Sequence, residues 1–160
     1  MTDRRIALLL TRPLAQSKGF VNLFEGVSQP SPVHICISPL FEIIFQGPLP
    51  EMSPYRSLIF TSSNGVRAFS QLKPSSILPS FTVGKVTAET AISVGLPAQM
   101  LGLDVQDFTE AILSLKPETP CLHLRGDISR SALATQLSNA GLATDEAIVY
   151  RQRGLPLTAD

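Results

Sequence analysis

The stretch that most constrains the fold runs from residue 58 to residue 69. Leu58-Ile59-Phe60 is a short run of strand-forming apolar residues. Thr61-Ser62-Ser63-Asn64-Gly65 stops it with small polar groups, and Val66-Arg67-Ala68-Phe69 opens a stretch with helical spacing. The reading is strand, polar turn, helix, and the turn residues are favoured N-caps. In an open α/β sheet such a turn lies at the carboxyl end of a strand, where ligands bind. It aims free backbone N–H groups and the positive end of a helix dipole at that place, which suits an anion. The same residues also serve as plain helix caps, their commoner use.

The rhythm recurs along the chain. Residues 5–10 read as a buried strand ended by Thr11-Arg12-Pro13, and Pro13 suits the first turn of a helix over 14–26. Phe20, Leu23, Phe24 and Val27 fall on one face of that helix. Residues 28–32 are a Pro/Ser-rich break and a candidate linker, with a second break at 73–79. Strands are predicted at 33–37 and, after Ser38-Pro39, at 40–45, where Phe41, Ile43 and Phe45 share a face. Residues 46–54 are loop. A strand at 81–83 turns at Gly84 into a helix ending near Gly95. A strand at 98–101 precedes a helix capped by Asp104 or Asp107 and running to 115. The strand at 120–124 is followed by a turn at 125–127, a helix over 128–140 and a last strand at 144–151, with 154–160 irregular. Such alternation argues for an α/β fold, a parallel sheet flanked by helices. Right-handed crossovers put the turns along one sheet edge.

Composition removes several function classes. The 160 residues allow one domain or two very small ones, and the formal net charge is zero. A neutral chain without a Lys/Arg run has no electrostatic footprint for nucleic acid or an anionic membrane. No stretch reaches the roughly 18 apolar residues of a membrane span. The basic start before Ile6 faintly imitates a signal peptide, but Thr11-Arg12-Pro13 stands in place of a cleavage site, so a cytoplasmic location is expected. Cys36 and Cys121 read as small buried residues in a reducing compartment. His34 and His123 are the only histidines, both in strands, and supply no metal set. They read as partly buried strand residues. Cys121 and His123 share a strand face but sit roughly 6.5–7 Å apart, too far for a nucleophilic pair. Dinucleotide, P-loop and nucleophile-elbow motifs are absent. There remain hydroxyls, glycines and backbone N–H groups with the cations Arg12, Lys85 and Arg125, equipment for holding an anion. Tyr150, ending the last strand, is the phenol near the proposed edge, either a half-buried strand aromatic or a hydroxyl donor.

Leu8-Leu9-Leu10-Thr11-Arg12-Pro13, Ile37-Ser38-Pro39-Leu40, the 58–69 stretch, Val83-Gly84-Lys85-Val86-Thr87-Ala88 with Gly95, Leu122-His123-Leu124-Arg125-Gly126 with Arg130 and Leu133, and Val149-Tyr150 occur in one order. In that order they closely resemble uroporphyrinogen-III synthase of bacterial type, over nearly the whole chain. The resemblance implies a bilobal enzyme whose lobes are flavodoxin-like. It closes hydroxymethylbilane into uroporphyrinogen III with loss of water and inversion of ring D, without a cofactor or metal. It further implies Thr61, Ser62, Ser63 and Thr87 as substrate contacts, with Arg125 in a turn-and-helix segment of the same lobe; Arg12 is the further cationic candidate that the residues themselves offer. Tyr150 would assist loss of the hydroxyl.

The pattern also implies discontinuous lobes. Residues 1–32 would be a first strand–helix of one lobe, residues 33–152 two connector strands plus a complete α/β lobe, and residues 153–160 a tail. Further strand–helix units expected after residue 160 are absent, so the reading is of an N-terminal portion with impaired activity. The family is expected to be monomeric, whereas an uncovered face at residues 1–26 would invite self-association. The alternative is a non-catalytic α/β anion-binding module, which would hold a small anion without turnover.

Overall fold

The computed structural model of the chain describes residues 6–27, 33–74, 77–128 and 131–157. The chain divides into two compact units, Met1–Ile44 with Gln152–Asp160, and Phe45–Arg151.

In the first unit, the apolar run Ile6–Leu10 forms β1 and Val33–Ile37 forms β2, and the two pair in parallel from Ile6 opposite Val33 to Leu10 opposite Ile37. Between them lies α1, Leu14–Val27. The Pro13 carbonyl accepts from the backbone N–H groups of Gln16 and Ser17, so Pro13 stands at the helix entry as its ring geometry favours. The expected apolar face of α1 is only partly used. Phe20 and Phe24 stack with ring centroids 6.0 Å apart, but Leu23 is 73% exposed. A two-stranded sheet is too narrow to cover a four-turn helix by itself. The break at 28–32 lies outside the described residues.

The second unit is built on a strand with no exposed residue. Phe41–Phe45 (β3), Ser57–Phe60 (β4), Ser80–Val83 (β5), Ala98–Gly102 (β6), Cys121–Gly126 (β7) and Thr144–Gly154 (β8) form a sheet in the order β3-β8-β7-β4-β5-β6, of which all but residues 41–44 and 152–154 belong to this unit. The five strands from β8 to β6 pair in parallel. β3 runs against β8, since the Gln46 N–H donates to the Val149 carbonyl and the Leu155 N–H to the Leu40 carbonyl, each at 2.8 Å. The chain steps outward from β4 to β5 and β6, then returns to β7 and β8. Right-handed crossovers therefore put α2 (Ser63–Gln71) and α3 (Lys85–Ser93) on one face and α4 (Val105–Leu115) and α5 (Leu133–Asn139) on the other.

Side-chain alternation fills both layers. Ile59, Phe81, Val83 and Cys121 meet Phe108, Ile112, Leu133 and Leu137 beneath α4 and α5. Leu58 and Phe60 point the other way, where Phe60 meets Phe69 of α2 edge-on at 5.8 Å. The α/β class and the parallel sheet read from the sequence are those of the structure.

Two elements depart from the sequence reading. Arg125 and Gly126 are not turn residues but the last two of β7, opposite Ile148 and Tyr150 across a bulge. β8 extends to Gly154, beyond the predicted end, and so offers these residues a ladder to join. The helix predicted at 128–140 is shortened to Leu133–Asn139. The Asp127 carboxylate accepts the Ile128 N–H at 2.9 Å, a local bond that competes with helix entry. The rhythm at Thr11 is also separate, because β1 belongs to the two-stranded sheet.

Candidate functional site

The strand order reverses between β4 and β7. β4 leads away on one side, β7 on the other, and in open α/β sheets ligands bind in the crevice outside the carboxyl ends of such a pair. The chain leaves β4 through Thr61-Ser62-Ser63. Ser62 is the N-cap of α2, extended at φ −153° and ψ 140°, and its Oγ accepts the Asn64 N–H at 3.1 Å. Ser63 Oγ accepts from Arg67 Nη1 at 3.1 Å. Ser62→Ala is expected to destabilise the unit by about 1 kcal/mol, read as a lowered urea midpoint, while Ser62→Gly costs a few tenths.

Thr61 reaches sideways. Its Oγ1 lies 3.3 Å from Nε2 of His123 on β7, next to β4 in the sheet. His123 is 2% exposed, and its Nδ1 has no hydrogen-bond partner among the described residues. Burial holds the imidazole down at about 4, from an ordinary 6.5; Glu146 pulls weakly upward and Arg125 downward. On acidification the unfolded chain therefore takes up a proton at His123 before the folded one does. The stability owed to a neutral His123 is complete above pH 6.5 and is lost as pH falls from 6.5 to about 4. At about 1.4 kcal/mol per unit, the wild type should lose about 2 kcal/mol between pH 7 and pH 5 from this group alone. Urea titrations of wild type and His123→Gln at both values check this, since the variant lacks that component.

Two residues on, Arg125 donates from Nη2 to Glu146 Oε1 at 2.5 Å and from Nη1 to the Gly126 carbonyl at 2.7 Å. The bond to Glu146 raises the guanidinium and lowers the carboxyl, each from its ordinary range. The charge of Arg125 is therefore already matched within the sheet. Its Nε is buried without a partner among the described residues. Tyr150 lies across from Gly126 and is buried. A Cβ on Gly126 would lie 2.6 Å from the ring atoms Cε2 and Cζ, so the strand presents bare backbone to that ring.

The other turns on this edge differ in charge. Gly84, at φ +75°, caps α3 with no side-chain bond, so that helix end keeps its N–H groups open. Thr87 is buried on the first turn of α3, and Lys85 is exposed with Glu89 at 3.7 Å. By contrast Asp104 takes the Gln106 and Asp107 N–H groups of α4, each at 2.9 Å. Asp127 comes directly after β7. The turns at 61–64 and 84–87, which carry no acidic side chain, suit an anion, whereas the acidic ones after β6 and β7 do not. Arg12 is exposed in the first unit, where its carbonyl accepts the Ser17 hydroxyl at 2.9 Å. Arg130 lies outside the described residues. A cavity of about 340 Å³ at the opposite sheet edge is lined by Leu113, Lys116, Pro117 and Gly141. There α4 and α5 turn their carbonyl ends outward, the wrong polarity for a polyanion.

The family model described as uroporphyrinogen-III synthase HemD matches residues 32–158. The chain belongs to the uroporphyrinogen-III synthase family. Among solved structures it is similar to the uroporphyrinogen-III synthetase of Helicobacter pylori, with TM-score 0.62 and 24% identity over 82% of this chain and 61% of that one. It is also similar to a mutant uroporphyrinogen III synthase of the extremely thermophilic bacterium Thermus thermophilus, with TM-score 0.58 and 16% identity over 94% of this chain and 64% of that one. At these identities the likeness is one of fold. The chain spans less than two thirds of the length of either structure. No curated protein matches it. No helix among the described residues is long and apolar enough to cross a membrane.

His123 is the member of this candidate site that sequence reasoning passed over. A signal for it exists. On a strand with helices on both faces, His123 and Arg125 place polar groups where apolar ones are expected.

Proposed function

We propose that the chain acts as a uroporphyrinogen-III synthase in tetrapyrrole biosynthesis, cyclising hydroxymethylbilane with inversion of ring D. The observation that carries the reading is the family match over residues 32–158. The crevice outside β4 and β7 would be the substrate site. The substrate is a flexible polycarboxylate, so the task is to hold it curled, which is catalysis by positioning. Thr61, Ser62 and Ser63 hold carboxylates at the α2 end, and the open α3 end beside Thr87 holds others. As ring closure proceeds, the hydroxyl of the linear substrate leaves as water. The Tyr150 hydroxyl donates a hydrogen bond to that oxygen as charge develops on it. Arg125, paired with Glu146, steadies the strand that carries this ring rather than meeting substrate alone.

The test is to incubate hydroxymethylbilane with the chain, oxidise the products and separate the ring isomers. Type III isomer above a protein-free control supports the reading. Type I alone, at the uncatalysed rate, overturns it. A non-catalytic anion-binding module would bind the polycarboxylate and yield type I only.

A further inference from the structure

Thr61 has one proton and stands between two candidates for it, the imidazole of His123 and a ligand in the crevice. Which one receives it depends on where His123 carries its own proton. Two observations bear on this. His123 Nδ1 and Arg125 Nε are both buried without a hydrogen-bond partner among the described residues, and they belong to residues i and i+2 on one face of β7. Arg125 Nε–H is a donor by necessity. With the His123 proton on Nδ1, two buried donors would stand unpaired on the same stripe, each of a kind that native interiors rarely leave orphaned. With the proton on Nε2, Nδ1 is an unpaired acceptor, which interiors leave unpaired less rarely than an N–H, and Nε2–H has Thr61 Oγ1 within 3.3 Å. That distance is long for the bond, as active-site hydrogen bonds commonly are before ligand arrives.

We propose that His123 is a positioning residue whose Nε2–H donates to Thr61 Oγ1, so that the Thr61 hydroxyl proton is committed to a ligand carboxylate. The inference rests on the polycarboxylate-binding reading above. Without the imidazole donor, Thr61 would turn lone pairs as readily as its proton toward the anion. With it, the hydroxyl adds a donor at the N-terminal end of α2, where the helix dipole already favours negative charge. Burial keeps the imidazole neutral, so Nε2–H donates without placing a buried positive charge on the stripe.

Nitrogen NMR of the imidazole in the whole chain reads the tautomer directly and needs no ligand. Nε2–H with a bare Nδ1 is expected, and Nδ1–H overturns the inference. Calorimetry with uroporphyrin III, a stable ring bearing eight carboxylates, reads the consequence. His123→Phe is expected to weaken binding about tenfold or more, the size of one hydrogen bond to a charged group. Thr61→Val should weaken it by a similar factor, and the double variant should be little worse than either. His123→Gln keeps an N–H donor there and should bind within about threefold of wild type, taking a shortfall under 1 kcal/mol as the margin. Urea midpoints of each variant separate loss of binding from loss of folding. Equal binding by wild type and His123→Phe overturns this inference alone, as does a His123→Gln variant as weak as His123→Phe. No binding by the wild type overturns the polycarboxylate reading together with this one.

Discussion

Truncating Phe108 to alanine is expected to cost about 3–5 kcal/mol of folding stability. Phe108 is wholly buried on α4, where it meets Ile59, Phe81 and Val83 from the sheet and Ile112 one turn on. Removing the ring loses its transfer energy and leaves a cavity that the rigid layers cannot close. Domains are commonly stable by about 5–15 kcal/mol, so one such loss is a large share of the whole. The site should feel it too, because α4 and α5 press on the sheet face that carries Cys121, His123 and Arg125. Equilibrium urea unfolding of Phe108→Ala against wild type gives the figure. Leu103→Ala is the control. Leu103 is 74% exposed and its loss should stay within about 0.5 kcal/mol. A Phe108→Ala variant no weaker than that control would mean the α4 layer is not packed as described.

The parts of this fold that could be read from the sequence are those fixed by neighbours in sequence. Leu58-Ile59-Phe60 followed by Ser62 and Asn64 carries strand, cap and helix within ten residues, and β4 and α2 follow there, with Ser62 as the cap. Asp104 before an apolar 3-4 pattern at Val105, Phe108 and Ile112 did the same for α4. Where partners lie far apart in the chain, local chemistry misled. Arg125-Gly126-Asp127 has turn composition, yet Arg125 and Gly126 stay extended because β8 pairs with them across more than twenty residues. The stretch before Leu133 contains Ile128 and Ala132, which suit a helix, but the buried spacing starts only at Leu133, Ala134 and Leu137. The candidate site divides in the same way. Thr61 to Ser63 were visible as a polar turn. The contact of Thr61 with His123 spans 62 residues and exists only because β7 lies beside β4. The pairing of Arg125 with Glu146 was hidden for the same reason, and a cation that looked available for an anion has a partner on the adjacent strand.

Adding one methyl group at Gly126 is expected to abolish most of the proposed cyclising activity while leaving the fold standing. The added Cβ would lie 2.6 Å from two ring carbons of Tyr150 and 3.0 Å from its hydroxyl oxygen. Carbon atoms in contact prefer about 3.5–4.0 Å, so the ring must withdraw by roughly 1 Å. Overpacking of this kind costs about 1–3 kcal/mol, which a domain of ordinary stability survives. Misplacing a group by about 1 Å at the point of chemistry can cost 10²-fold in rate, and that is the effect expected on type III isomer formed by Gly126→Ala. Tyr150→Phe removes the hydroxyl and leaves the ring. If the hydroxyl is what the displacement spoils, Gly126→Ala in the Tyr150→Phe background should cost little further activity, since both changes remove the same interaction. Stability should behave oppositely in a Tyr150→Ala background. With the ring gone, the methyl has space, and the penalty of Gly126→Ala should shrink or change sign. Full additivity of activity losses in the first pair, or of stability losses in the second, would show that Gly126 matters for some reason other than the ring laid against it.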